Sequence, residues 1–278
     1  MARTRFNISV KPGQEGIDCA KTVIELGQQQ LSYAIYGPGE ELLGYRNYEL
    51  DGAAPEAELS ALINDDEKLR NAAGRKILLY NYPEAAFVPG VYYSPSTGEA
   101  HLELLHGELP AATIVTEKGE GTSDGYFVYA VPTQVHRLFQ QQLPVNRSFH
   151  YYNVLQHAEE TRLKDTASYL LVTFYPGRLL VYAGSRGQVQ LIRSFYYEAA
   201  EDVAYYLLNI CQQLALSPAT TPVFLSGMID VSSVLYAEIL KYFGIVELDS
   251  FATDAFEWPE EHPAHFFSPL LKIATCVS

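Results

Sequence analysis

Residues 168–249 open with Ser168-Tyr-Leu-Leu-Val-Thr-Phe-Tyr175, turn through Pro176-Gly177, and continue as Arg178-Leu-Leu-Val-Tyr-Ala183. A second turn, Gly184-Ser-Arg-Gly187, leads into Val189-Gln-Leu-Ile-Arg-Ser-Phe-Tyr196. Runs rich in β-branched and aromatic residues, separated by Pro/Gly turns, read as a three-strand meander. After Tyr197 the apolar period changes: Val203, Tyr206, Leu207, Ile210 and Leu214 share one helical face, and Glu198, Glu201 and Asp202 complement the helix dipole at its start. A buried-type strand is expected at 223–226. A second helix follows, with Val234, Leu235, Ile239, Tyr242 and Phe243 on its face. Asp230 or Ser232 is its expected N-cap and Gly244 its C-terminal glycine. A last strand closes the stretch at 244–248. The order βββαβαβ describes a mixed α/β half-molecule.

Working outward, the first half echoes this plan less cleanly. Residues 6–10 alternate as an edge strand, and the polar residues 11–21, with Pro12, Gly13 and Gly16, read as a loop. Strands are expected at 31–36 and 42–50, joined by Gly37-Pro38-Gly39. A helix is expected at 55–72 and a buried strand at 76–80. Four Pro/Gly positions, Pro83, Pro89, Pro95 and Gly98, predict short helices and loops across 83–107. Strands at 113–117 and 126–131 flank a polar loop, and a helix begins at Pro132. A strand at 149–152 and a helix at 154–163 follow. The charged residues 159–165 mark the division, giving a first half of 1–164, with an irregular insertion around 83–125, and a second half of 165–278.

Composition excludes several function classes. The net charge of −14 argues against nucleic-acid binding, which is driven by Lys and Arg neutralising phosphates, and against adsorption to anionic membrane. No apolar run approaches the roughly 18 residues of a spanning helix. The three cysteines, Cys19, Cys211 and Cys276, form no CxxC pair and suggest neither a zinc ribbon nor a redox couple. A cytoplasmic, thiol-reducing location is the default expectation. Neither a GxxxxGK[ST] phosphate loop nor a Gly-x-Ser-x-Gly elbow is present. His262-Pro-Ala-His265 has chelating spacing but too few converging partners for a metal site. The pairs Tyr151-Tyr152, Tyr196-Tyr197 and Tyr205-Tyr206, and the aromatic tail with Phe256, Trp258, Phe266 and Phe267, are candidate protein-contact surfaces.

The two halves share a pattern. Tyr33-Ala-Ile-Tyr-Gly-Pro-Gly-Glu-Glu-Leu-Leu-Gly-Tyr45 and Leu170-Leu-Val-Thr-Phe-Tyr-Pro-Gly-Arg-Leu-Leu-Val-Tyr182 both read strand, Pro/Gly turn, strand. Together with Glu201-Asp-Val-Ala-Tyr-Tyr-Leu-Leu-Asn209, Phe224-Leu-Ser-Gly-Met-Ile229, Leu235-Tyr236, Lys241-Tyr-Phe243 and Phe87-Val-Pro89, the chain resembles an uncharacterised bacterial domain-of-unknown-function family with an actin-like ATPase fold. Its layout is similar to the actin-like proteins of secretion and pilus assembly. The resemblance implies duplicated ribonuclease-H-like halves, with nucleotide held between them by an acidic Asp-x-Gly-type turn in each first hairpin. The turns taken for that role, Gly37-Pro38-Gly39 and Pro176-Gly177-Arg178, carry no Asp, and each proline removes an N–H donor. Ser226-Gly227 occupies the position where the superfamily holds adenosine.

The candidate cleft residues are therefore Gly37, Gly39, Gly177, Arg178, Ser226, Gly227 and Asp230, with Asp165 a further acid to locate. A ribonuclease-H-like nuclease would need carboxylates on its first and fourth strands, and 168–175 and 223–226 contain none. The expectation is a non-catalytic cytoplasmic interaction or scaffold protein with no cofactor or metal, a protein partner and a possible homo-oligomer. The alternative is a divergent nucleotide-binding protein or ATPase using ATP and Mg²⁺.

Overall fold

The first sheet holds one strand more than the sequence pattern marks. In the computed structural model, which describes residues 2–9, 18–52, 54–109, 111–121, 124–249 and 262–277, Lys21–Gly27 (β2) pairs antiparallel with Gln30–Tyr36 (β3). It also pairs in parallel with Arg75–Asn81 (β5). Every residue of β2 is buried. A strand covered on both faces loses the in–out alternation that betrays a strand in sequence. Its polar members are partnered: Lys21 Nζ binds Glu40, and Glu25 Oε1 accepts Asn81 Nδ2 at 2.6 Å.

With Arg3–Ser9 (β1), Leu42–Glu49 (β4) and Arg147–His150 (β9), the six-stranded sheet runs β1-β4-β3-β2-β5-β9. Helices Pro55–Asp65 (α1), Glu67–Asn71 (α2) and Thr133–Gln142 (α4) cover one face. There Leu59, Leu62, Ile63, Leu69, Val135, Leu138 and Phe139 pack with Ile24, Leu26, Leu31, Tyr33 and Leu78. Between β5 and β9 lies a small lobe: Ala85–Pro89 (β6), Gly98–His106 (α3), Ala112–Lys118 (β7) and Gly125–Pro132 (β8), with sheet order β6-β8-β7. Residues 85–89, expected as loop, thus form a strand. Ala86 and Val88 face Leu102, Val128 and Ala130, an apolar alternation that outweighs the flanking prolines.

Tyr151–Ala158 (α5) and Glu160–Asp165 (α6) lead to the second sheet. It comprises Ser168–Tyr175 (β10), Arg178–Ser185 (β11), Gln188–Tyr196 (β12), Val223–Gly227 (β13) and Val246–Leu248 (β14), in the order β12-β11-β10-β13-β14. Helices Ala200–Gln213 (α7) and Val234–Leu240 (α8) bury Val203, Leu207, Ile210 and Ile239 against Leu170, Val172, Val181 and Leu225. Helix α8 is capped by Ser233, whose Oγ accepts the Tyr236 N–H at 3.1 Å, rather than by Asp230 or Ser232. Asp230 lies a turn earlier and organises the preceding loop instead. The last helix among the described residues is Ser268–Ala274 (α9). Phe256 and Trp258 lie outside the described residues.

Counting β2–β4, β5 and β9 as one set and β10–β12, β13 and β14 as the other, both sheets have the strand order 3-2-1-4-5. The chain is a duplicated α/β fold of ribonuclease-H-like halves. Its contacts divide it into two units, one holding the described residues of Met1–His157 and Ile273–Ser278, the other those of Ala158–Asp254 and Trp258–Lys272.

Candidate functional site

In open sheets with parallel strands, ligands collect outside the carboxyl ends of those strands. In the second unit β10 and β13 run parallel and pair Phe174 with Gly227. Five of the sequence-selected residues gather there. Gly177 makes the β10–β11 turn with φ of 62°. Gly227 ends β13 with φ of 75°, and a Cβ there would stand 2.3 Å from the Phe174 carbonyl oxygen, so only glycine fits the turn.

Arg178 is buried rather than solvated. Its Nη1 donates to Ser194 Oγ at 2.7 Å, and its guanidinium lies over the Tyr175 ring at 4.5 Å. Ser226 is buried with its hydroxyl 3.1 Å from that of Thr173. Asp230 is exposed and accepts from both the N–H and the hydroxyl of Ser232 at 2.7 Å, which hold its carboxyl below the usual range. Asp165 is exposed at the end of α6, just before β10 begins, and so lies at the opposite end of the sheet.

Gly37 and Gly39 are not at the carboxyl edge of the first unit. With β2 in place, the hairpin equivalent to Pro176-Gly177 is β2–β3, whose turn is Gln28-Gln29. Gly37-Pro38-Gly39 is the following turn, at the other end of the sheet beside Lys21. There it holds Glu40, at φ of 61°, within 2.6 Å of Lys21 Nζ. The apparent repeat between the two halves is one strand out of register.

The first unit's own carboxyl edge carries residues that the sequence did not single out. Gln28 and Gln29, together with Tyr82 and Glu84 beyond β5, line a cavity of about 850 Å³ completed by Asp51, Leu109, Thr133 and Gln134. Among the described residues no Lys, Arg or His lines it. Beneath the same edge Glu25 on the first strand meets Asn81 on the fourth, an amide where a two-metal nuclease would need a second acid. Among the described residues no three His, Cys, Asp or Glu side chains converge as a metal site. His265, half of the spaced histidine pair, is buried with Nε2 2.8 Å from the Ile229 carbonyl oxygen.

Beside the end of β9, the half-buried Glu117 accepts from the His150 N–H at 2.9 Å and from Asn153 Nδ2 at 2.8 Å. Burial raises its carboxyl to about 7 against the opposing pull of these donors. His150 is fully buried; its Nδ1 accepts the Tyr152 N–H, which leaves Nε2–H to donate to the Tyr82 carbonyl at 3.0 Å. Recognising 21–27 as a strand would have exposed Gln28-Gln29 as the hairpin turn. No local signal marks Asp51, Glu84 or Glu117.

A family model for "Protein of unknown function (DUF3822)" matches residues 19–246. The chain belongs to the DUF3822 family. No curated protein matches the sequence. Among solved structures, the chain is similar to a Bacteroides thetaiotaomicron VPI-5482 protein with an actin-like ATPase fold and unknown function. That match has a TM-score of 0.75 at 17% identity over 86% of this chain and 93% of the other. It is also similar to a chain of the PilM–PilN type IV pilus biogenesis complex, with a TM-score of 0.59 at 13% identity over 92% and 97% of the two chains. At these identities the shared property is the fold, and this DUF3822 chain has the actin-like ATPase fold. Among its described residues no helix is long and apolar enough to cross a membrane.

Proposed function

We infer that this chain is a non-catalytic interaction protein that binds a segment of a protein partner in the carboxyl-edge cavity of its first unit. The observation that carries this reading is the cavity's charge. Asp51 and Glu84 supply carboxylates, Gln28, Gln29 and Gln134 supply amides, and no cation lines it among the described residues. Phosphate groups need donors and positive charge. Carboxylates and amides instead suit an extended backbone with a Lys or Arg side chain. A Mg²⁺–triphosphate fits the second unit's edge no better: Pro176 has no N–H, and Arg178 is turned onto Ser194 and Tyr175. The PilM–PilN complex gives a precedent within this fold for an assembly with a second protein. Cys19, Cys211 and Cys276 form no disulfide among the described residues, which suits a cytoplasmic setting.

The test is a fluorescence-polarisation titration of the full chain with two labelled random-peptide pools, matched except for Lys/Arg in one and Asp/Glu in the other. Saturable binding of the basic pool, lost in Glu84→Lys, is expected. Saturable, Mg²⁺-dependent thermal stabilisation by ATP would overturn the reading in favour of the nucleotide-binding alternative; a ligand at a hundred times its Kd adds about 2.7 kcal/mol.

A further inference from the structure

The six outer strands of the three sheets differ in how well they resist pairing with another chain. Strand β14 has three residues and β9 four, β6 ends in Pro89, and β1 is bulged and carries Arg3 and Arg5. Strand β7 ends Glu117-Lys118, with Glu117 engaged by His150 and Asn153. Short length, proline, bulges and charge are the usual protections of a sheet edge. Strand β12 has nine residues, no proline, and Arg193 as its one charge. A register shift against β11 at Ala183/Gly184 leaves residues 191–196 as a regular run. Among the described residues its outer side pairs with no strand.

An aromatic rim adjoins this edge. Phe195 stacks on Tyr206 with ring centroids 4.8 Å apart, Tyr206 meets Tyr205 at 5.7 Å, and Tyr205 is 65% exposed. Large aromatics beside an arginine are typical of the energetically dominant residues at protein interfaces.

We propose that β12 is the interface of a symmetric dimer, in which two copies of this chain join their second sheets by antiparallel pairing of β12 with β12. The occupant follows from the charges at the two ends of the strand. Arg186 lies in the turn before it; Glu198 and Glu201, all three exposed, lie just after it. Antiparallel pairing about a two-fold axis at Ile192 brings Arg186 of each copy toward Glu198 of the other, since both are six residues from Ile192. The edge is therefore self-complementary, the requirement of an isologous interface. The net charge of −14 does not forbid this, because repulsion beyond a Debye length of about 8 Å is largely screened at physiological salt. The dimer is independent of the cavity.

Sedimentation velocity of the full chain over a concentration series, with amide hydrogen exchange at high and low concentration, tests the proposal. A reversible dimer is expected, with exchange at 191–196 slowed as it forms. Arg186→Asp and Glu198→Arg should each weaken it roughly fivefold, the effect of losing about 1 kcal/mol, and the double variant should recover it. Monomer at every concentration would overturn the proposal. So would a dimer without protection at 191–196, or folded charge-swap variants that fail to compensate one another. The exchange measurement needs no variant and stands whether or not the variants fold.

Discussion

Glu117 shows how a single carboxyl links two parts of the first unit and senses pH in doing so. It sits on β7 of the small lobe and accepts from Tyr129 of β8 at 3.4 Å, yet its closer donors, the His150 N–H and Asn153 Nδ2, come from the β9–α5 junction of the main sheet. Burial raises its pKa from the ordinary 4.5 to about 7. The folded chain therefore holds a proton that the unfolded chain releases between those values, and this group's contribution to stability falls as pH rises through that window. Glu117→Gln keeps an acceptor oxygen without the charge. Thermal unfolding against pH should show wild type losing stability from pH 5 to 7.5, with a flatter profile in the variant. At pH 8 the variant should be more stable by roughly 1–2 kcal/mol, allowing for the partial exposure of Glu117. A wild-type profile as flat as the variant's would mean that the donors, not burial, dominate. No sequence pattern announced this residue, because its two closest donors come from more than thirty positions away.

At the scale of elements, the second half was legible throughout, and in the first half β3, β4, β5, β7, β8, α1 and α4 fell where expected while β2 and β6 were missed. The meander β10–β12, helices α7 and α8 and strand β13 fall where apolar spacing and Pro/Gly turns place them. Strand β2 escaped because Lys21, Thr22 and Glu25 are polar and buried, so period-2 alternation vanishes. Losing β2 shifted the first hairpin by one strand, and Gly37-Pro38-Gly39 took the place that belongs to Gln28-Gln29. Helix α9 is held in a way equally invisible to local pattern. Lys272 Nζ contacts the fully buried Glu159 and lies 3.2 Å from Asp249, and Arg162 Nη2 contacts Asp249 at 2.6 Å. Burial pushes the Asp249 carboxyl up, but Lys272 and Arg162 outweigh it and hold it below the usual range. Lys272→Met should leave Glu159 and Asp249 sharing one cation and cost about 3 kcal/mol in urea unfolding, the typical loss when a buried pair is broken. A loss below 1 kcal/mol would show that Arg162, 3.6 Å from Glu159 Oε2, and the hydrogen bond Tyr169 donates to that oxygen at 3.1 Å are enough to hold Glu159.

For the whole molecule, the element order βββαβαβ was readable from one clean copy, and the actin-like fold expected from the resemblance is shown by the similarity to solved structures. The cavity was not readable, because its walls come from five separate stretches, around 28, 51, 84, 109 and 133, and no sequence window spans them. The same long-range closure governs the chain's last described residues. Lys21, at the start of β2, sends its Nζ to the carbonyls of Ala274 and Val277, both at 3.2 Å, while Glu40 neutralises it. The Lys21 contact with the carbonyl of Ala274, the last residue of α9, also complements the negative end of that helix. Lys21→Met keeps the apolar stem and removes the donor, leaving buried carbonyls unsatisfied at a cost of about 1–3 kcal/mol each. Amide exchange at 273–277 should accelerate markedly, with β10 and β11 keeping their protection because their core contacts are untouched. Lys21→Arg should restore most of the protection. Unchanged exchange in Lys21→Met would assign the anchoring of 273–277 to the burial of Ile273 and Val277 alone, and Lys21 would then be a residue whose charge is compensated rather than used.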